Sequence, residues 1–265
     1  MSSRNNLKAR YGPAALVTGA SDGIGRASAD ALAAAGFDLV LVARRRGELA
    51  SIADHLTQRH GIGTTVVAVD LGSHDACARI AEASAGLDVG LIVAAAGYGL
   101  SGRFLDNSAA EELGMIDVNC RAVAALVHMF APSLITRGTG GIILFSSIVA
   151  FQGVPGQANY AATKAWVQVF AEGLRRELGP AGVDVLAVAP GPVATGFAAR
   201  AGLTMGTAET PETVARASLK ALGRTGTVRP GSLAKVLEAS LSLLPRSGRT
   251  LILQQVMASM MNKTG

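Results

Sequence analysis

The sequence predicts an α/β fold, a doubly wound parallel sheet in a single domain, on three observations. Six short runs between residues 14 and 189 are nearly continuous in Val, Ile, Leu and Ala, the pattern of strands buried on both faces. Segments of helical periodicity separate them, and strand alternating with helix means parallel pairing with right-handed crossovers. The 265 residues are 49% hydrophobic and only 16% charged, which excludes disorder and supplies a large core. A chain of this length suits one α/β unit.

The strand runs are residues 14–18, 38–43, 64–69, 89–95, 141–145 and 183–189. Between them, 25–35, 48–59 and 73–85 carry helical periodicity. Two longer helices are expected at 109–136 and 159–178. Both are apolar beyond one face, as at Ala122, Val123, Ala124, Ala125, Leu126 and Val127, which suits burial or packing on a second subunit. After Pro190 the pattern weakens. Residues 191–210, rich in Gly, Ala and Thr, read as a mobile excursion from the sheet with Gly196, Gly202 and Gly206 as pivots. Residues 232–262 read as a C-terminal helical extension. Its last part sets Leu253, Val256, Met257, Met260 and Met261 on one side, a face for the protein body, a neighbouring subunit or a membrane surface. No linker divides the chain, so residues 1–265 read as one domain.

Several function classes drop out. The 32 glycines follow no Gly-X-Y period, so they serve individual turns and close backbone approaches. Two cysteines, Cys77 and Cys120, make neither a disulfide scaffold nor a four-cysteine zinc site. His55, His60, His74 and His128 do not cluster, and no metal site is expected. The N-terminal MSSRNNLKARYG lacks the apolar core of a signal peptide, and no run of eighteen apolar residues occurs. The expectation is a cytoplasmic protein with no integral membrane segment. The net charge of +5 comes from 24 basic and 19 acidic residues. The basic residues are scattered, and Arg44-Arg45-Arg46 is too short a run for a nucleic-acid footprint.

The chemistry starts after the first strand, at Thr18-Gly19-Ala20-Ser21-Asp22-Gly23-Ile24-Gly25, with a helix following. Glycines at such a turn let the backbone approach a pyrophosphate, and the helix N-terminus offers unpaired N–H groups and a positive dipole end. A plain tight turn would use the same residues. The second strand ends in Val42-Ala43-Arg44-Arg45. A carboxylate there would bind a ribose 2′-hydroxyl, whereas Ala43 followed by Arg44 and Arg45 suits a 2′-phosphate and favours NADP over NAD. Tyr160 and Lys164 lie four apart, on one helical face. An ammonium near a phenol lowers its pKa toward the working range, which suits proton exchange with a carbonyl oxygen as a hydride moves. Ser147 ends the fifth strand and could hydrogen-bond the same oxygen.

Glycine loop, Asp70, Asn119, Ser147, Tyr-x-x-x-Lys and Pro190-Gly191 stand in the order of the classical short-chain dehydrogenases/reductases, and the chain resembles that Rossmann-like family over about residues 12 to 195. The resemblance implies that Tyr160 is the general acid/base, that Lys164 lowers its pKa and holds the nicotinamide ribose, and that Ser147 positions the substrate oxygen. It gives the Asn119 carbonyl a water in the proton relay. It sets Asp70 and Leu71 against the adenine, Ala96 and Gly97 beside the cofactor, and Pro190, Gly191, Val193 and Thr195 at the carboxamide. Gly19, Ser21, Asp22, Gly23, Ile24 and Gly25 form the phosphate turn. Each has a plainer role too: Ser147 and Asp70 could cap the turns that follow them, and Asn119 could bond locally within a helix.

Two departures stand out. Ala94-Ala95-Ala96-Gly97 replaces the family's Asn-Asn-Ala-Gly, and the C-terminus lacks a strand ending in Asp-Gly-Gly. The resemblance puts Tyr98, Leu100, Phe151, Val154, Phe197, Leu203 and Met205 around the substrate, with Arg103 and Arg200 as the nearby charges. That lining suits an apolar carbonyl or alcohol over a sugar phosphate. The expected function is an NADP-dependent carbonyl reductase or alcohol dehydrogenase acting as a homodimer or homotetramer. The alternative is a non-catalytic NADP-binding sensor on the same fold.

Overall fold

The computed structural model describes residues 3–197, 208–231 and 245–261. Among them, seven strands form one sheet: β1 (Ala14–Thr18), β2 (Asp38–Ala43), β3 (Thr64–Ala68), β4 (Val89–Ala94), β5 (Gly140–Phe145), β6 (Val183–Val188) and β7 (Thr227–Val228). All neighbours are parallel, in the order β3-β2-β1-β4-β5-β6-β7. The chain starts mid-sheet, winds out to β3 and returns past β1 to β4. That reversal opens a crevice at the carboxyl ends of β1 and β4, where ligands bind in open α/β sheets.

Helices cover both faces: α1 (Ser3–Tyr11), α2 (Gly23–Ala33), α3 (Arg46–His60), α4 (Ala76–Ala83), α5 (Ala109–Ile116), α6 (Ala122–Arg137), α7 (Ala158–Leu178), α8 (Pro211–Ala221) and α9 (Arg246–Met261). The strand period of two sorts the core into halves. Leu16, Val40, Ile92, Ile142 and Val185 meet Ile80, Val123, Leu126 and Leu134 from α4 and α6. Val17, Leu39, Leu91, Ile143 and Leu186 meet Leu32, Leu49, Leu56 and Val214 from α2, α3 and α8. Each fully buried Leu or Ile stabilises by about 1.5–3 kcal/mol, and β1, β4 and β5 are buried at every position.

Several expected boundaries move. The runs expected to end at 69, 95 and 189 end as strands one residue earlier, with the Val69 and Ala189 N–H groups still donating to the Ala43 and Val228 carbonyls at 2.9 Å. The single helix expected over 109–136 is interrupted: a π-helical turn, Asp117–Arg121, joins α5 to α6. By length and composition Ala109–Arg137 could cross a membrane. Here half of its apolar window is buried within the protein, and Val123, Leu126, Phe130 and Leu134 pack on the sheet. The helices α1 and α8 and the strand β7 were not anticipated. The start of α8 follows ordinary rules, with Thr210 Oγ1 accepting from the Thr213 N–H at 3.2 Å and Pro211 in the first turn. Of the expected mobile loop, 198–207 lies outside the described residues, with Arg200, Gly202, Leu203, Met205 and Gly206. So do 232–244 and residue 262 of the expected extension, and the side chains of Leu253, Val256, Met257, Met260 and Met261.

The amino ends of the strands are clasped. Arg10 Nη2 and the Tyr11 hydroxyl both donate to Asp184 Oδ2 at 2.6 Å, while Arg137 pairs with Asp88 and donates to the Gly12 carbonyl. Tyr11 is buried, at 1% exposure, so α1 seals the edge opposite the crevice.

Candidate active site

The turn after β1 is built from close backbone approaches. Gly19 and Gly23 hold φ of +69° and +53°, a region L side chains avoid. A Cβ on Gly19 would come within 3.0 Å of the Ala96 backbone. On Gly23 it would meet Thr195 Cγ2 at 2.8 Å, and on Gly25 it would overlap the Gly19 carbonyl. Asp22 caps α2, its Oδ1 accepting from the Gly23 N–H at 2.7 Å. The Thr18 hydroxyl oxygen accepts from the Ala96 N–H at 3.0 Å, fixing β4 beside the turn. Ile24 packs partly on the core behind it. The result is a backbone-lined cradle at a helix N-terminus, and it fits a dinucleotide pyrophosphate.

Beside the cradle, Arg45 Nη2 donates to Ser21 Oγ at 3.2 Å and Arg45 Nη1 lies 2.7 Å from Glu48 Oε1. Arg44 and Arg45 are both exposed, and Ala43 presents no carboxylate. Asp70 carries out its plainer role, Oδ1 accepting from the Gly72 N–H at 2.9 Å, and Leu71 is buried behind it. From the other side, the Pro190 carbonyl accepts from the Ile148 N–H at 3.1 Å, and Val193 bridges to Glu209. Gly191 lies between them, and the segment then brings Thr195 against Gly23 and Gly196 against Asp22.

The second group converges on α7. Tyr160 and Lys164, one turn apart, are both buried, as are Ser147 and Asn119. Lys164 Nζ donates to the Phe145 carbonyl at 2.9 Å, and the Ser146 hydroxyl donates to the Lys164 carbonyl at 3.0 Å. Asn119 sits in the π-helical turn. Its Nδ2 donates to the Tyr98 carbonyl at 2.8 Å and to Thr163 Oγ1 at 3.1 Å, and its Oδ1 accepts from the Tyr98 N–H at 3.1 Å. Gly97 touches both centres: a Cβ there would lie 3.0 Å from Asn119 Oδ1 and 3.4 Å from Lys164 Nζ. The Tyr160 ring packs on Phe197, centroids 5.3 Å apart.

Burial pulls the Lys164 ammonium down to about 8 and pushes the Tyr160 phenol up, a rise that its hydrogen bond with Ser147 partly offsets. The expected lowering of the phenol by Lys164 is not what the geometry gives. The ammonium is held on the Phe145 carbonyl, 5.7 Å from the Tyr160 ring centroid, and desolvation of the phenol wins.

Two of the apolar residues expected around the substrate make contacts within the protein. Val154 is buried in the protein body, and the Arg229 guanidinium lies over the Phe151 ring at 4.8 Å. Arg103 is exposed at the rim. Sequence reasoning missed Thr163, whose hydroxyl donates to the Tyr160 carbonyl at 2.8 Å and so joins Asn119 to α7. It also missed the buried carboxylate of Glu112 and the buried amide of Gln157. Among the described residues no cluster of His, Cys, Asp or Glu could hold a metal ion.

Known proteins are similar to this chain. The family model of the short chain dehydrogenases matches residues 13–205. A 7beta-hydroxysteroid dehydrogenase of Clostridium sardiniense is 33% identical over 190 residues, 72% of this chain and 73% of its own length. A very-long-chain 3-oxoacyl-CoA reductase of Bos taurus is 32% identical over 216 residues, 79% of this chain and 68% of its own. A solved short-chain dehydrogenase from Sphingobium yanoikuyae in complex with NADPH superposes with a TM-score of 0.77 at 29% identity, covering 89% of this chain and 97% of that one.

Proposed function

Because the chain belongs to the short-chain dehydrogenase family of oxidoreductases, we propose that it is an NADP-dependent carbonyl reductase, moving hydride between the nicotinamide and an apolar ketone or secondary alcohol. The observation that carries this reading is the buried set Ser147, Tyr160, Lys164 and Asn119 beside a glycine cradle, with Gly97 touching two of its members. The cradle and the N-terminus of α2 hold the pyrophosphate. Ser21 with Arg44 and Arg45 receives the 2′-phosphate, Asp70 and Leu71 flank the adenine, and Pro190 to Thr195 hold the carboxamide end. When bound, the nicotinamide supplies the hydride.

The chain's own residues handle the proton. Ser147 holds the carbonyl oxygen, and the Tyr160 hydroxyl gives it a proton. Tyr160 is the protonated phenol at neutral pH; burial raises its pKa, and the hydrogen bond with Ser147 works against that rise. Lys164 leaves the Phe145 carbonyl for the ribose and the proton path, and Asn119 shapes that path from the π-helical turn. The apolar substrate is supported by the Phe197 ring on Tyr160 and by the steroid and long-chain acyl names of two relatives. A homodimer or homotetramer is supported by exposed Met129, Ile135, Trp166 and Val169 on α6 and α7.

The test is oxidation of NADPH against a panel of apolar ketones, with NADH and Tyr160→Phe in parallel. Turnover with NADPH that disappears in Tyr160→Phe is expected. Equal turnover in the variant would overturn the mechanism, and tight NADPH binding with no ketone reduced would point to a substrate outside the panel or to the sensor.

A further inference from the structure

Tyr160 stands in the least-held part of its own helix. It is the third residue of α7, in the first turn, where backbone N–H groups find no carbonyl inside the helix. The N-cap residue, Gln157, adds no side-chain hydrogen bond to that turn. The hold comes from outside, at Asn159, the residue immediately before Tyr160. Asn159 Nδ2 donates to Glu112 Oε2 at 2.6 Å and to the Glu112 carbonyl at 3.0 Å. Side chain and main chain of α5 thus grip the same amide. A second bond crosses this seam, the Gly102 N–H donating to the Gly156 carbonyl at 3.0 Å.

Glu112 is 6% exposed, and the proton route makes no use of it. Its other oxygen, Oε1, accepts from Asn107 Nδ2 at 2.9 Å. Taking a carboxylate out of water is costly, and its side-chain partners are two neutral amides. A leucine there would be easier to bury. What the carboxylate adds is direction, since two acceptor oxygens facing two amides fix how α5, Asn107 and the start of α7 meet. Direction matters to the next residue. The Tyr160 hydroxyl meets Ser147 from the end of a long ring. A small rotation of the first turn moves that hydroxyl by about an ångström, and misplacement on that scale costs about 10²-fold in rate.

We infer that Glu112 is a positioning residue for the reduction: through Asn159 it fixes the first turn of α7 and so holds the Tyr160 hydroxyl at Ser147, touching neither substrate nor nucleotide. The inference rests on the reductase reading, in which that hydroxyl delivers the proton.

The experiment removes the pair and then rebuilds it with its polarity exchanged. Glu112→Leu takes away both acceptors, and Asn159→Asp sets carboxylate against carboxylate. Adding Glu112→Gln to Asn159→Asp supplies an amide donor again. With a ketone that wild type reduces, kcat should fall roughly ten- to a hundredfold in each single variant while the KM for NADPH stays near the wild-type value. The double variant should recover most of kcat, and the solvent deuterium isotope effect on kcat should rise in Asn159→Asp and fall back with it. In crystals of Asn159→Asp the Tyr160 hydroxyl should stand away from Ser147. An unchanged kcat in Glu112→Leu, or a loss in Asn159→Asp that the double variant does not recover, would overturn the inference and leave the reductase reading intact. If Glu112→Leu does not fold, the Asn159→Asp pair decides. A wild type that reduces no ketone counts against the reductase reading, and the crystals then decide: a Tyr160 hydroxyl that keeps its place in Asn159→Asp overturns the inference.

Discussion

The two ends of the sheet treat polar groups in opposite ways. At the amino ends, Asp184 takes two donors at 2.6 Å, from Arg10 and Tyr11, and Arg137 binds Asp88 and the Gly12 carbonyl. Arg10, Asp184, Asp88 and Arg137 are all held by ion pairs between distant parts of the chain, with Arg137 Nε left buried and without a hydrogen-bond partner. At the carboxyl ends, Lys164 has only carbonyl oxygen to hold and Tyr160 is desolvated. The closed end is finished by folding alone. The open end keeps groups whose best partners are not in the protein, and it stays ordered because the closed end and the apolar layers fix the strands that carry it.

The comparison breaks most sharply at Tyr160. Tyr160→Phe should lower kcat by about 10²–10⁴-fold, the usual worth of a general acid, while the thermal unfolding midpoint moves little. A midpoint that collapses with activity would place Tyr160 among the structural groups. Next comes Gly25→Ala, where the new Cβ overlaps the Gly19 carbonyl. Nucleotide retention, followed by fluorescence titration with NADPH, should be lost, and stability should drop by about 1–3 kcal/mol from overpacking. The mirror-image change is Asp184→Ala. It strands the buried Tyr11 hydroxyl and should cost about 1–3 kcal/mol in urea unfolding with kcat unchanged. A loss of kcat there would mean that the two ends are coupled.

The smallest effect is a pH slope. Lys164 has an ordinary value of 10.5 and a folded one of about 8. Between the two the unfolded chain binds more protons, so this group's contribution to stability rises with pH across that window. Below about pH 8 its buried charge costs stability in full. Lys164→Met removes that rise. The difference between wild-type and variant urea midpoints should therefore narrow from neutral pH toward pH 10, a comparison that cancels the opposite slopes of Tyr160 and Tyr11, whose values burial raises; Cys120, which Lys164 itself holds down against burial, shifts with the variant.

What was legible in the sequence follows the same division. The strands β1 to β6 could be read because parallel strands in a covered sheet are near-continuous apolar runs, and the turn at Gly19–Gly25 because its spacing is local. The helix α1, SRNNLKARY, gave no apolar period; its hold comes from Tyr11 reaching Asp184, 173 residues away. The helix α8 did carry a signal, Thr210-Pro211 before an amphipathic stretch, hidden by the glycine-rich segment ahead of it. The break between α5 and α6 was invisible because both sides are apolar, and periodicity does not register one surplus residue. Ser147, Tyr160 and Lys164 could be paired from spacing and resemblance. The state of Tyr160 could not, since desolvation depends on Phe197 and Gly99, which pack against it from distant segments. Glu112 left no trace, because a carboxylate held between two amides is visible only when every neighbour is placed.

The π-helical turn Asp117–Arg121 can be put as a matter of insertion and deletion. It amounts to one residue more than a continuous α-helix needs. Removing a single codon there would straighten the helix from α5 into α6 and rotate one side against the other by about 100°. The straightened helix would have better hydrogen bonds, and Asn119 would turn away from Tyr98 and Thr163. Selection for stability alone would favour that deletion, and selection for the site would forbid it. At this one place the number of residues in the chain, and not only their kind, sets where Asn119 stands.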